Sequence, residues 1–166
     1  VNLSARSLHD PHLPEMIENA LKTTGAEPDQ LALEVTESAI VLDPKRAEGV
    51  LARLSSMGVW LSIDDFGTGY TSLASIKRLP VDEIKIDKSF IIGMLADKKD
   101  AMIVRSVIEL GHNLGLTVVA EGVETQEVLD TLAILGCDQA QGYFISKPLA
   151  CELLKGWFPV SPWKLG

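Results

Sequence analysis

With 166 residues, 46% of them hydrophobic and 23% charged, the chain can bury one sizeable core and reads as a single globular domain. A net charge of −8 with no basic run argues against a groove for DNA or RNA. No apolar run nears the roughly 20 residues of a membrane span, no signal-peptide layout is present, and Cys137 and Cys151 lack ligand spacing, which suits a reduced, cytoplasmic setting.

In chain order, Val1-Asn2-Leu3-Ser4 reads as a strand carrying Asn2. Asp10 is placed to cap a helix with Pro11 in its first turn and Leu13, Met16, Ile17, Ala20 and Leu21 on one face. A second strand closes at Glu34. The next helix starts near Asp43-Pro44, buries Ala47, Val50, Leu51 and Leu54, and stops at Gly58. A third strand closes at Asp64-Asp65, a short helix over residues 72–79 ends at Pro80, and a short strand carries Lys85. A helix from about Asp100 to Gly115 places Ile103, Val104, Val107, Ile108 and Leu114 inward. A strand closing at Glu121, a helix from Thr125 to Gly136 and a strand closing at Gln141 follow. Residues 156–166 form a C-terminal tail in which Trp157 and Trp163 are expected to pack over the base of the fold or at an interface.

Alternating strands and helices imply a parallel sheet, either a closed barrel or an open doubly wound sheet. The polar strand ends recur at intervals of 20 to 36 residues, which suits a (β/α)₈ repeat of about 250 residues for eight units. In either fold these side chains lie at the carboxyl ends of the strands, where ligands bind. Several carboxylates on one rim are tolerable only with cations among them, so the pattern points to a metal-dependent enzyme. Hard oxygen ligands without Cys or His select Mg²⁺ or Mn²⁺.

Each piece also has a plainer reading. Asp43 is a helix cap. Taken alone, Asp64-Asp65 suits capping or solvation as well as it suits metal binding, and the ordered series favours metal. Lys85 alone reads as a solvated lysine or one paired with Asp87. Gly67-Thr68-Gly69 lacks the third glycine of a dinucleotide loop, since Ser72 stands there, so its glycines serve a tight turn. His9, His12 and His112 read as surface residues.

Six segments occur in series: Asn2-Leu3-Ser4, Leu33-Glu34-Val35-Thr36-Glu37-Ser38, Asp64-Asp65-Phe66-Gly67-Thr68-Gly69-Tyr70, Ile84-Lys85-Ile86-Asp87, Ala120-Glu121-Gly122-Val123-Glu124-Thr125 and Gln141-Gly142-Tyr143. Together they resemble the EAL-domain family, bacterial phosphodiesterases of cyclic di-GMP. The resemblance implies an α/β fold, a (β/α)₈ TIM-like barrel with one antiparallel strand, here incomplete at about six of eight strands, across a single domain of residues 1–166. It implies hydrolysis of cyclic di-GMP to linear pGpG by a water activated between two Mg²⁺ or Mn²⁺ ions.

By the same resemblance, Asn2, Glu34 and Asp64 hold the first metal and Asp64 bridges to the second. Asp65 holds the second, and Glu121 binds it directly or through water. Lys85 hydrogen-bonds the attacking water, Gln141 adds a polar contact near the metals, and Glu124 supports the site. Glu37 anchors the loop of residues 66–72. A homodimer formed near that loop, and sensory or GGDEF-type domains in a parent chain, are also implied. The chemistry is consistent: two metals about 3.5–4 Å apart lower the pKa of water and clamp the attacking and leaving oxygens.

The Glu-Ala-Leu segment that names the family, and the arginine after it, do not occur in these residues. The expectation is a fragment of the domain whose two missing strands leave sheet edges open to pairing and whose activity in isolation is in doubt. Two further classes stay open. A catalytically inactive relative would bind cyclic di-GMP as a sensor. A phosphorelay receiver also sets acids and a lysine at strand ends, but no isolated acceptor Asp lies on a strand between the acidic pair and Lys85.

Overall fold

The computed structural model describes residues 1–69 and 73–163, with the side chains of all of these except residues 73 and 74. Among them are six strands: β1 (Asn2–Leu3), β2 (Ala32–Thr36), β3 (Trp60–Phe66), β4 (Glu83–Ile86), β5 (Thr117–Glu121) and β6 (Gln139–Gln141). The helices are α1 (Ala5–Leu8), α2 (Leu13–Thr24), α3 (Glu37–Leu42), α4 (Pro44–Ser56), α5 (Leu73–Ile76), α6 (Lys88–Gly93), α7 (Lys98–Leu114), α8 (Gln126–Leu135) and α9 (Cys151–Trp157).

The strands form one sheet in the order β1-β2-β3-β4-β5-β6, and all five pairings are parallel. An open doubly wound sheet, and with it a receiver, must reverse its strand order at a switch point. This sheet never reverses, so the architecture is six strands of a (β/α)₈-type barrel. The antiparallel strand implied by the resemblance is not among the described ones.

Sidedness defines the sheet. Leu33, Val35, Leu61, Ile63, Ile84, Ile86, Val118 and Ala120 are all buried and, alternating along their strands, share the face covered by helices. The residues between them are mostly polar: Glu34, Ser62, Asp64, Glu83, Lys85, Thr117 and Glu121. Sheets packed by helices on both faces carry apolar runs, so this alternation marks a sheet whose second face lines an interior. Helix α7 packs tightly against the apolar face. A Cβ on Gly111 would stand 2.4 Å from Val118 Cγ2 and 3.0 Å from Ile84 Cδ1.

Local signals explain most of the helices. Asp43 accepts the Arg46 N–H at 3.2 Å and Pro44 opens α4, whose Ala47, Val50, Leu51 and Leu54 are buried. Thr125 caps α8 through the Val128 N–H, and Gly115 (φ +75°) and Gly136 (φ +80°) end α7 and α8 in the left-handed region that favours glycine.

Three boundaries differ from expectation. At Asp10 the expected cap forms only a turn, with the His12 N–H on its carboxylate at 2.9 Å and the Leu13 N–H on its carbonyl at 3.1 Å, and α2 begins at Leu13. Of its expected inward face, Leu13 and Leu21 are buried and Ile17 partly so, Pro14 is buried with them, and Met16 and Ala20 are exposed. Helix α7 starts at Lys98 because Asp97, ahead of Asp100, accepts the Lys99 N–H at 2.7 Å. The short helix expected over residues 72–79 is observed at Leu73–Ile76, and position 72 lies outside the described residues.

At the amino ends of the strands two aspartates do the same job. Asp82 accepts the Leu61 N–H at 2.9 Å, and Asp138 accepts the Val118 N–H at 2.8 Å while pairing with His112 Nε2 at 2.9 Å. Each fastens a strand start to its neighbour. Past β6, Trp163 stands edge-on to Phe144 with ring centroids 5.8 Å apart. None of the described helices is long and apolar enough to cross a membrane.

Candidate metal centre

Strand parity brings the predicted residues together. Glu34, Asp64, Lys85 and Glu121 lie on the polar face of β2, β3, β4 and β5 near their carboxyl ends. The Lys85 ammonium, with 4% of the residue exposed, stands 2.5 Å from Glu121 Oε1, 3.2 Å from Glu34 Oε2 and 3.6 Å from Asp64 Oδ1. The pairing of Lys85 with Asp87 weighed from the sequence does not occur. Asp87 instead caps α6, accepting the Ser89 N–H at 2.9 Å and the Ser89 hydroxyl.

Two consecutive aspartates on a regular strand would point to opposite faces. Here the β3–β4 register shifts between Ile63 and Phe66, and Asp65 has φ +56°, the sole positive value of a non-glycine residue among those described. The bulge re-aims a side chain, so one oxygen each from Asp64, Asp65 and Glu121 lie within 4.8 Å of one another. Asp and Asn tolerate this conformation better than other side chains do.

Glu37, 4% exposed at the start of α3, accepts the N–H groups of Gly67 and Gly69, both at 3.1 Å, just past the bulge. The loop expected to depend on Glu37 spans residues 66–72, of which 70–72 lie outside the described residues. Beneath the centre, Ser62 Oγ donates to Glu83 Oε1 at 2.8 Å and ties β3 to β4.

The remaining predicted residues sit at the rim. Asn2 pairs in register with Glu34, and Gln141 with Glu121, and both are exposed. Glu124 is exposed and lines a pocket of about 280 Å³ with Lys88, Glu121, Gly122, Gln141, Gly142 and Tyr143. That wall is tightly stitched: Val123 N–H donates to Gln141 O and Phe144 N–H to Val123 O, both at 3.0 Å. A Cβ on Gly142 would stand 2.1 Å from Val123 O.

One ammonium faces more carboxylates than it can neutralise. Burial pushes the Glu121 carboxyl above its ordinary range, against the lowering effect of Lys85, and Asp64 and Glu34 push it further. Burial and then Asp64 and Asp87 raise Asp65 likewise. Burial works against the Lys85 charge, yet the bond to Glu121 and the charges of Glu121, Asp64 and Glu34 hold the amine protonated above its usual range. Asp64 Oδ1 is buried without a hydrogen-bond partner. Excess negative charge, a buried carboxylate oxygen without a hydrogen bond and an all-oxygen donor set fit a hard divalent cation.

Asp87 is the residue that sequence reasoning left out. Burial pushes the Asp87 carboxyl up, but the Ser89 hydroxyl and N–H and the neighbouring Asp65 outweigh it and bring it below its ordinary range, and the Asp87 charge in turn adds to the rise of Asp65. The signal was present in Lys85-Ile86-Asp87, because positions two apart point the same way from a strand.

Known proteins resemble this chain in sequence and in fold. The model of the EAL domain family matches residues 1–148. The chain is 46% identical over 154 residues to the bifunctional diguanylate cyclase/cyclic di-GMP phosphodiesterase MucR of Pseudomonas aeruginosa, covering 93% of this chain and 22% of that protein. It is 43% identical over 155 residues to the cyclic di-GMP phosphodiesterase NbdA of the same organism, covering 93% and 20%. The chain thus spans about a fifth of the length of these curated relatives.

Among solved structures, a MucR phosphodiesterase in complex with c-di-GMP superposes with a TM-score of 0.90 at 46% identity, covering 93% of this chain and 62% of that one. The EAL domain of Mycobacterium smegmatis DcpA superposes at 0.91 with 37% identity, covering 100% and 73%. The chain belongs to the EAL domain family.

Proposed function

We propose that this chain carries the metal centre of a cyclic di-GMP phosphodiesterase, which opens the cyclic dinucleotide to linear pGpG. The observation that supports this most is the convergence of Glu34, Asp64, Asp65 and Glu121 around Lys85, with a buried Asp64 oxygen that accepts no hydrogen bond. Its relatives MucR and NbdA are named as enzymes of this activity.

In this reading Asn2, Glu34 and Asp64 hold one Mg²⁺ or Mn²⁺. Asp64, with Asp65 and with Glu121 directly or through water, would hold a second. Two such ions supply a nucleophile at neutral pH and offset the phosphate charge. Lys85 donates a hydrogen bond that orients the attacking water and stabilises charge developing on the phosphoryl oxygens. Gln141 and Glu124 line the substrate side of Glu121, and Glu37 holds the Gly67–Gly69 backbone so that the bulge keeps Asp64 and Asp65 aimed inward. Assembly as a homodimer near this loop, and regulation by sensory or cyclase domains of a longer protein, belong to the same proposal.

The test is incubation of the longer protein that carries this chain with cyclic di-GMP and Mn²⁺ or Mg²⁺, with nucleotides separated by chromatography. Linear pGpG from the wild type and none from Asp64→Asn is the expected result. Binding without a divalent ion and recovery of intact nucleotide would replace the hydrolase with a sensor.

A further inference from the structure

Lys85 has a second relationship to the acids around it. The oxygens that converge closely enough for a cation belong to Asp64, Asp65 and Glu121, and the Lys85 ammonium pairs with two of those residues, Asp64 and Glu121, as well as Glu34. An ammonium has three donors, and here three carboxylates from β2, β3 and β5 face it. β4 runs between β3 and β5, so this side chain reaches acids on both of its neighbouring strands and on β2 beyond.

We propose that Lys85 is the internal counter-ion of the centre: it holds Glu34, Asp64 and Glu121 in place and competes with divalent cations for their oxygens, which sets the affinity of the site for metal. The inference rests on the metal-binding reading above. A divalent ion drawing on Asp64 and Glu121 must loosen two of the three ion pairs and sits beside a like charge. Removing the ammonium does the opposite. It leaves the carboxylates uncompensated, which costs stability, and deepens the negative potential that attracts the ion.

The test compares wild type, Lys85→Met and Lys85→Arg. In EDTA the Met variant should melt below the wild type, and Mn²⁺ should raise its Tm by more than it raises that of the wild type. Free Mn²⁺ counted by electron paramagnetic resonance should show tighter binding by the Met variant, by roughly tenfold or more, the order expected for removing a unit charge about 4 Å away in a partly screened site. Lys85→Arg, which keeps the charge, should restore the weaker binding. Should the Met variant fail to fold, the unaltered chain decides: the ¹⁵N resonance of the Lys85 ammonium should move as Mg²⁺ is added.

Equal or weaker Mn²⁺ binding by the Met variant overturns the competition while leaving the metal centre standing. An ammonium resonance unmoved while Mg²⁺ binds does the same. Absence of bound Mn²⁺ in wild type and variants alike overturns the metal-binding reading itself.

Discussion

The Cα of Gly69 approaches Glu37 so closely that a Cβ there would stand 2.8 Å from the Glu37 carboxyl carbon. Both Gly67 and Gly69 donate their N–H groups to that one carboxylate oxygen, so the absence of a side chain is what lets the loop wrap a buried acid. Gly69→Ala should push Glu37 away from these donors and tilt the Asp64–Asp65 bulge. The expected outcome is a loss of about 10²-fold in hydrolysis from ångström-scale misplacement. Glu37→Ala, which orphans two N–H groups, should cost about 1–3 kcal/mol. Nucleotide turnover and urea unfolding measure the two effects separately.

Asp65 holds a left-handed backbone and a carboxylate, and substitutions can separate the two. Asp65→Asn keeps a side chain that accepts φ +56° and removes a charge whose proton affinity burial and Asp64 have raised. A group whose folded pKa is raised loses stabilisation as pH rises through it, so the amide should leave the protein at least as stable near neutrality while abolishing Mn²⁺ binding. Asp65→Val, unsuited to positive φ, should destabilise by about 1–3 kcal/mol. Thermal melting with and without Mn²⁺ distinguishes the pair.

Gly111 lets α7 settle onto β4 and β5. Gly111→Ala gains helix propensity of about 1 kcal/mol, but its methyl would meet Val118 Cγ2 at 2.4 Å, and overpacking costs typically about 1–3 kcal/mol. The clash should win. Denaturant unfolding should show lower stability than the wild type, and a gain would show that α7 has room to retreat.

Asp138 provides the pH dependence. Burial raises its carboxyl, but the Val118 N–H and His112 outweigh that and bring it below its ordinary 3.8. Because the folded value is the lower one, its contribution is fully present above about pH 4 and is lost as pH falls through the depressed value. Stability of Asp138→Asn should therefore fall less steeply than that of the wild type below pH 4. Thermal melts from pH 6 to pH 2 compare the slopes, and identical slopes would remove Asp138 from the acid response.

Features with local causes were legible in advance. Asp43-Pro44 starts α4 and Thr125 caps α8, because a cap needs only residues two or three positions away. The six strands could be located from their polar positions. The short α1, α3, α6 and α9 were missed, since four to seven residues are too few to display a 3.6-residue period.

What the order of residues determined by itself was the alternation of strands and helices, the family, and the set of acids destined for one rim. Tertiary structure alone decided how those acids meet. The bulge that turns Asp65 toward Asp64, the three-way hold of Lys85, the contact of Asp65 with Asp87 and the reach of Glu37 to Gly67 and Gly69 all depend on pairing between segments 20 or more residues apart or on a single backbone angle. Neither leaves a periodic trace in the sequence. The energy that fixes them, burial of the apolar sheet face against the helices, is spread over the whole core.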